Sequence, residues 1–209
     1  MASRWLHSRG KRAFDLAVAV PALVVAAPVI AVTAVLVRAR LGSPVLFRQT
    51  RAGCDGTPFE VVKFRTMTAA RGPDGELLPD GERLPRFGRL LRAGSLDELP
   101  QLWSVVRGDM SLIGPRPLPL AYVERYSPEQ RRRLAATPGI TGWAQVNGRN
   151  DLEWPAKLAH DVWYVDHAGP WLDARILART IGALLTRRGI SAGGHPTMPE
   201  FTGDEPEGV

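Results

Sequence analysis

The sequence predicts a mainly helical α+β fold, in which an N-terminal membrane helix precedes a compact domain with amphipathic helices and a short β element. Two observations lead to this class: an uncharged run from Leu16 to Val37, and apolar residues at helical spacing through much of the chain that follows. A chain of 209 residues buries one core of ordinary size. We therefore expect a basic lead-in and membrane helix over 1–40, one domain over 41–190 and a disordered tail over 191–209.

The charge balance indicates an anionic partner. The net charge is +6 and the pI is about 10.2, which suits nucleic acid, anionic lipid or phosphorylated substrates. No recognised nucleic-acid motif occurs in the sequence. Cys54 is the single cysteine, which excludes an internal disulfide and fits a reducing, cytoplasm-facing location. Because the sequence has no C-x-x-C or H-x-x-x-H pair, any metal is expected to be a hard cation held by carboxylates.

The run Leu16–Val37 is long enough to cross a bilayer. It spans about 33 Å as a helix, and it is too long for a signal-peptide core. Two arrangements stay open. A simple transmembrane span is the ordinary interpretation, but basic residues flank both ends of the run, and Pro21 and Pro28 interrupt it. A re-entrant helix that breaks near Ala27-Pro28 and leaves by the face it entered accounts for both features.

Two adjacent carboxylates, Asp97 and Glu98, stand at the predicted start of a helix. Ser95 and Glu98 match a capping box, which explains the glutamate in purely structural terms. A capping box leaves Asp97 unexplained. Near a helix start its carboxylate stays ionised, as a nucleophile or a metal ligand requires.

Residues 59–67 are β-like and carry two basic side chains. Strand alternation places Lys63 and Arg65 on one face. That face is either solvated or turned toward phosphate beside the carboxylates, and the sequence leaves both alternatives open.

Two loops carry further arginines. Pro115 and Pro117 restrict the backbone around Arg116, which suits a bidentate phosphate contact as well as a plain turn. The loop 138–150 is rich in glycine and polar groups. Such a loop brings backbone N–H groups close to a ligand, and Arg149 adds a charge there.

Helical spacing predicts the remaining elements. Residues 83–92 form a basic amphipathic helix that suits either the surface of an anionic membrane or packing on the core of its own domain. The helix after the acid pair is expected to begin nearer Leu99, because Pro100 lacks an N–H group, and to end at Gly108. Two further helical stretches are predicted, at 122–136 and at 176–185.

Six motifs, in order from residue 11, resemble those of the bacterial sugar transferase family. These are the small monotopic phosphoglycosyl transferases that begin glycan assembly on a polyprenyl phosphate. The likeness extends to about residue 188, and it is specific because several motifs are linked in one order. The motifs are Lys11–Asp15, Lys63–Met67, Ser95–Gln101, Gly114–Pro117, Pro138–Gly142 and Trp171–Asp173.

The resemblance implies a re-entrant anchor on the cytoplasmic face of the bacterial inner membrane and a transfer in two steps. In that family an aspartate attacks the β-phosphate of a UDP-sugar, UMP leaves, and the polyprenyl phosphate takes the phosphosugar. Carried over by position, Asp97 is the nucleophile and Glu98 is its partner in metal binding or proton transfer. The implied ligands of Mg²⁺ are Asp97, Glu98 and Asp173, and the implied phosphate contacts include Lys63 and Arg116.

One position departs from the family, since Ala27 stands where a serine commonly precedes the helix-breaking proline. Two other functions stay open. A glycosyltransferase that moves only the sugar would release UDP, and a membrane-tethered basic protein without activity explains the charge but not the acid pair. The expected partners are a UDP-sugar, a polyprenyl phosphate and anionic membrane lipids, without nucleic acid, and the sequence leaves a homodimer open.

Overall fold

A computed structural model describes residues 2–148, 152–186 and 200–203. These residues are mainly helical, with two short two-stranded sheets, which confirms the predicted α+β class. Helix α1 spans Arg9–Leu41. The other helices and strands are β1 Leu46–Ala52, β2 Pro58–Phe64, α2 Asp80–Arg83, α3 Arg86–Ala93, α4 Gln101–Arg107, β3 Ser111–Ile113, α5 Pro128–Arg131, β4 Gly139–Thr141, α6 Trp143–Val146, α7 Trp154–His167 and α8 Pro170–Thr186. Short 3₁₀ helices lie at Arg4–His7, Cys54–Gly56, Leu96–Glu98, Leu120–Arg125 and Arg132–Ala135.

Helix α1 is 33 residues long and contains the uncharged run. Its first turn is capped by Ser8, whose side chain accepts a hydrogen bond from the backbone N–H of Lys11 at 3.0 Å. It ends at Gly42, which has a φ of 76°. The helix continues through Ala27-Pro28. Among the described residues, α1 is the one helix long and apolar enough to cross a membrane.

Both ends of α1 pack on the domain that follows it. The N-terminal part buries Lys11, Asp15 and Ala19, and contacts α4 and β3. The C-terminal part buries Val37 in a cluster with Phe64 and Leu91. Between these ends the helix is open, with Val24 and Val25 68% and 77% exposed. The apolar surface that needs another environment therefore lies in the middle of the helix.

Strands β1 and β2 form an antiparallel hairpin that was predicted in part from residues 59–67. The register pairs Phe47 with Lys63 and Arg51 with Phe59. Because side chains alternate along a strand, these two pairs lie on the same face of the hairpin. The strand ends at Phe64, one residue before Arg65.

Strands β3 and β4 form a parallel pair that the sequence did not predict. Each strand has three residues, and the register pairs Ser111 with Gly139 and Ile113 with Thr141. The chains after the two strands stay in close contact. A Cβ atom at Gly139 would lie 2.1 Å from the backbone nitrogen of Gly114, so this approach requires glycine. The contact holds the segment before Arg116 against the glycine-rich loop.

The core consists of three clusters. The largest joins the start of α1 to β3, α7 and α8 through residues such as Ala19, Ile113 and Ile176. The second surrounds Leu158 and contains Phe201. The third is the cluster of Val37, Phe64 and Leu91 at the far end of α1.

Two predicted stretches differ from the structure. The helix predicted at 122–136 is divided into 3₁₀ and α segments, and α5 begins at Pro128, where a proline fits the first turn. In the predicted disordered tail, residues 200–203 are described, and Phe201 is 2% exposed, with its ring 5.6 Å from that of Tyr122. The disorder prediction is wrong for this short segment because an aromatic ring finds a buried position. The predicted tail residues 191–199 and 204–209 lie outside the described residues.

Gly88 is expected to be essential for the packing of α3. A Cβ atom at Gly88 would lie 1.9 Å from the backbone oxygen of Thr66. This overlap is relieved only if the backbone at Gly88 or at Thr66 moves. We expect Gly88→Ala to lower the free energy of unfolding by about 1–3 kcal/mol, measured by denaturant unfolding in detergent. Gly182→Ala is the control, because no atom lies within 4 Å of its added Cβ. Equal stability of both variants would contradict the close packing of α3.

Candidate active site

The acid pair lies in the single 3₁₀ turn Leu96–Glu98, directly before α4. Ser95 precedes the turn in a left-handed conformation, with φ 51° and ψ 22°, and its side chain makes no capping hydrogen bond. The predicted capping box is therefore wrong, since Glu98 forms ion pairs instead. A left-handed conformation costs a residue other than glycine roughly 1–2 kcal/mol, so the surrounding contacts must hold this turn in place.

The helix after the acid pair has the predicted boundaries to within two residues. Pro100 is the N-cap residue and α4 begins at Gln101, close to the predicted start near Leu99. Gly108 ends the helix with a φ of 101°, as predicted. Arg12 of α1 donates hydrogen bonds to the carbonyl oxygens of the last turn of α4. These contacts attach the acid-pair helix to the base of the long apolar helix.

Glu98 is held between two cations from distant parts of the chain. Its Oε1 atom accepts a hydrogen bond from Lys63 Nζ at 3.3 Å and one from Arg116 Nη2 at 2.6 Å. Burial opposes the ionisation of Glu98, but the charges of Arg116 and Lys63 outweigh it and lower its pKa to about 2. Glu98 is therefore a carboxylate at any physiological pH. The structure brings together these three predicted site residues.

Asp97 has no such partners. Its residue is 8% exposed, and it makes no hydrogen bond or ion pair with another described residue. Burial raises the pKa of Asp97, and the negative charge of Glu98 raises it further. The charges of Lys63, Arg92 and Arg116 act in the opposite direction. Asp97 is thus a carboxylate with unused acceptor capacity among cations, which is the state that a nucleophile needs.

Arg92 is a third cation at the acid pair that the sequence did not single out. It lies on α3, and its Nε atom donates a hydrogen bond to Thr66 Oγ1 at 3.0 Å. Its charge lowers the pKa of Asp97. The sequence left open whether this helix lies at an anionic membrane or packs on the core of its own domain. Which arginine turns toward Asp97 depends on how α3 packs, and that was not visible in the pattern.

Two further predicted phosphate contacts, Arg65 and Arg149, stay predictions. Arg65 follows the end of β2, and its Nη1 atom donates a hydrogen bond to the carbonyl oxygen of Ser43 at 2.8 Å. Arg149 lies outside the described residues.

Asp173 belongs to a buried cluster of its own, and its role as a metal ligand stays a prediction. Its Oδ2 atom lies 2.9 Å from Lys11 Nζ, and accepts a hydrogen bond from Trp5 Nε1 at 2.9 Å. Its Oδ1 atom accepts a hydrogen bond from the Tyr164 hydroxyl at 2.8 Å. Lys11 also pairs with Asp15 at 3.2 Å. This cluster joins the first turns of α1 to α7 and α8.

Among the described residues no group of three or more His, Cys, Asp or Glu side chains is placed to hold a metal. The carboxylates near Asp173 are also engaged: Asp161 pairs with Arg133 at 2.7 Å, and Asp166 pairs with Arg132. Of the described residues, Asp97 and Glu98 are the acids in the turn before α4, and a cation site there stays a prediction.

A carboxylate pair faced by cations, on a domain joined to a long apolar helix, is typical of enzymes that act on anionic substrates at a membrane. The model of the bacterial sugar transferase family matches residues 6–187 of this chain. The chain belongs to the bacterial sugar transferase family, and it is a phosphoglycosyl transferase by that membership.

Curated relatives agree with the family. The chain is 49% identical to the uncharacterized sugar transferase EpsL of Bacillus subtilis over 92% of its own length and 96% of that protein. It is 42% identical to a UDP-glucose:undecaprenyl-phosphate glucose-1-phosphate transferase of Caulobacter vibrioides, over 84% of its length and 70% of that protein. It is 36% identical to an undecaprenyl-phosphate galactose phosphotransferase of Salmonella typhimurium, of which the match covers 41%.

The buried cluster around Asp173 generates a stability prediction. Lys11→Met removes the cation from between Asp15 and Asp173 and leaves two buried carboxylates facing each other. We expect a loss of about 3–5 kcal/mol in the free energy of unfolding, and a smaller loss when Asp173→Asn is added to Lys11→Met. The control is Arg48→Met, whose exposed ion pair with Glu60 contributes at most about 1 kcal/mol. A stable Lys11→Met variant would show that this cluster does not bind α1 to the domain.

The low pKa of Glu98 generates a second prediction, for metal-free protein in EDTA. A carboxylate with a lowered folded-state pKa stabilises the protein above its unfolded-state pKa of 4.5 and loses this contribution as the pH falls toward about 2. Wild type should exceed Glu98→Gln in free energy of unfolding by about 3 kcal/mol at pH 6. The difference should shrink steadily below pH 4.5, whereas that for Glu60→Gln should stay near zero. A difference independent of pH would contradict the ion pairs of Glu98.

Proposed function

We propose that this protein transfers a phosphosugar from a UDP-sugar to a polyprenyl phosphate and releases UMP. The names of the relatives from Caulobacter vibrioides and Salmonella typhimurium support the substrate classes. The observation that carries the mechanism is Asp97, a buried carboxylate without a partner among the described residues, next to a carboxylate that two cations hold in place.

The reaction proceeds by two displacements at phosphorus. An Asp97 oxygen forms a bond to the β-phosphorus of the UDP-sugar. The bond from that phosphorus to the bridging oxygen breaks, and its electron pair leaves with UMP. An oxygen of the polyprenyl phosphate then attacks the same phosphorus and releases Asp97 as a carboxylate. Charge balances in both steps without a proton, and one site serves a soluble donor and a lipid acceptor in turn.

The cations around the acid pair offset the repulsion between anions, which is the main obstacle to this reaction. Attack by a carboxylate on a phosphate diester, and then by a phosphate on an acyl phosphate, brings negative groups together. Lys63 and Arg116 are only partly covered, with side chains 25% and 43% exposed, so they remain accessible to a substrate. Glu98 fixes their position. It serves as an orienting group for the phosphate-binding cations.

A divalent cation fits the acid pair without Asp173. Magnesium keeps water and substrate phosphates as most of its ligands and needs only one or two protein carboxylates. Asp97 and Glu98 are adjacent, and Asp97 has unused acceptor capacity, so these two residues are the protein ligands that we propose. Bound there, Mg²⁺ supplies positive charge to the donor phosphates.

For the anchor we propose the re-entrant arrangement at the cytoplasmic face of the inner membrane. Both ends of α1 contribute buried residues to one domain, and residues such as Val24 and Val25 between them are exposed, as expected when one helix enters and leaves by the same face. Basic residues at both ends fit the cytoplasmic side. Pro28 allows a bend within a continuous helix. Ala27 offers no hydroxyl there, so a freed carbonyl needs another partner.

Helix α3 suits contact with anionic lipids beside this anchor. It carries Leu90, which is 67% exposed, among the arginines Arg86 and Arg89. An exposed leucine flanked by cations fits the headgroup region of a membrane. The opposite side of α3 carries Arg92, so the same helix connects the membrane surface with the acid pair.

The decisive experiment is Asp97→Asn. With Mg²⁺, polyprenyl phosphate and a panel of UDP-sugars, we expect transfer to fall by at least about a thousandfold, while the protein stays folded and membrane-bound. Asp109→Asn, which alters an ion pair with Arg107 away from the acid pair, should retain activity.

The product and the intermediate distinguish the alternatives. Wild type incubated with a UDP-sugar labelled in the β-phosphate should acquire label without acceptor, and Asp97→Asn should not. Release of UDP in place of UMP would identify a transferase that moves only the sugar. Continued lipid product from Asp97→Asn would remove Asp97 from its proposed role.

A further inference from the structure

A second group of cations lies beyond Arg116, away from the acid pair. The end of β1 runs beside the segment that follows Arg116: Ala52 N donates a hydrogen bond to Leu118 O at 3.0 Å, and Arg51 forms an isolated bridge with Pro119. Arg51 therefore lies next to the Arg116 loop. Its own guanidinium donates to the neighbouring Gln49 and to no carboxylate among the described residues.

Helix α7 brings Lys157 to the same place. Arg133 connects the two elements, because its Nη2 atom donates to Arg116 O at 2.7 Å and to Asp161 Oδ2 at 2.7 Å. Asp161 lies one turn after Lys157 on α7. Lys157 also lies over the Trp154 ring, with its Nζ atom 5.2 Å from the ring centroid. Arg51 of β1 and Lys157 of α7 are thus both placed beside the Arg116 loop, the first through the bridge to Pro119 and the second through Arg133 and Asp161.

The charge of Arg116 acts on both of the other cations. Burial lowers the pKa of Arg51, and the charge of Arg116 lowers it further. The same two causes, in the same order, lower the pKa of Lys157, with Asp161 acting in the opposite direction. Like charges held together in a partly buried place favour an anion between them.

This group continues the line of cations that begins at the acid pair. Arg51 and Lys63 lie on one face of the β1–β2 hairpin, and their register positions are separated by about 13 Å along the strands. Arg116 contacts Glu98 beside Lys63 and lies next to Arg51 at the other end. A substrate with two adjacent phosphates would present one phosphate to each end of this line of cations.

The two ends of this line of cations face different parts of the protein, and this difference indicates which phosphate-bearing substrate binds at each end. The Lys63 end of the hairpin packs, through Phe64, on the cluster of α1 and α3 that we assign to the membrane side. The Arg51 end packs, through Ala52, on the cluster of Phe201 and Leu158. A lipid phosphate that arrives from the membrane reaches Lys63 first. The Arg51 end therefore remains for the soluble UDP-sugar.

We infer that Arg51 and Lys157, together with Arg116, form the subsite for the α-phosphate of the nucleotide and hold the departing UMP. This inference rests on the proposed function. When the bond between the β-phosphorus and the bridging oxygen breaks, its electron pair stays on the α-phosphate, which gains one negative charge. Cations at this position therefore stabilise the transition state more than the bound substrate.

The test compares UMP with uridine, which lacks the phosphate, by equilibrium binding to the full chain in detergent. Arg51→Gln and Lys157→Gln should each weaken UMP binding by at least about tenfold, as for loss of a charge-assisted hydrogen bond. Uridine binding and the KM for polyprenyl phosphate should not change. Arg51→Lys should restore part of the loss. Arg48→Gln is the matched control, since Arg48 lies on the other face of β1 in an exposed ion pair with Glu60.

Three results would overturn the inference: UMP affinity equal to wild type in both variants, equal losses for uridine and UMP, or a raised KM for the lipid acceptor with UMP binding intact. Ligand-free Tm values should be no lower than that of wild type, because each variant removes a cation from a repulsive group. A wild-type protein that binds UMP far better than uridine but releases UDP in turnover would refute the proposed function and leave the subsite in place.

Discussion

The site depends on one carboxylate, Glu98, that is shared between Lys63 and Arg116. These residues come from β2, from the turn before α4 and from the loop after β3, so a single oxygen joins three separate parts of the chain. Two positive charges around it overcome the effect of burial on ionisation. The same arrangement leaves the neighbouring Asp97 without a partner among the described residues. The two adjacent acids therefore differ, because Glu98 accepts hydrogen bonds from both cations and Asp97 is left for the chemistry that we propose.

The elements around the acid pair are irregular, and this irregularity has physical causes. Ser95 is left-handed, the acid pair occupies a 3₁₀ turn, and Arg116 follows a crossing of glycines where Cβ atoms do not fit. Such conformations persist only where other contacts determine them. Here the fixed contacts are the ion pairs of Glu98 on one side and the β3–β4 pairing on the other. The regular helices α1, α7 and α8 supply the rigid support.

The sequence was most informative where local chemistry decides the outcome. The apolar length of α1, the glycine that ends α4, and the proline that moves its start follow from single residues and their spacing. Long-range pairing was the main source of error. The contacts of Asp173 were not visible in the pattern, because its partners Lys11 and Trp5 are more than 160 positions away along the chain. Strands β3 and β4 were missed because three-residue strands leave almost no periodic signal.

The cluster of Lys11, Asp15 and Asp173 also sets an order of events during synthesis. The first helix leaves the ribosome with a lysine and an aspartate that reach their final environment only when α8 has been made, since Trp5 and Asp173 are 168 positions apart. Until then the apolar part of α1 is complete, but Asp173, the buried partner of Lys11, is missing. We therefore expect the ion pair that attaches α1 to α8 to form only after α8 has been synthesised.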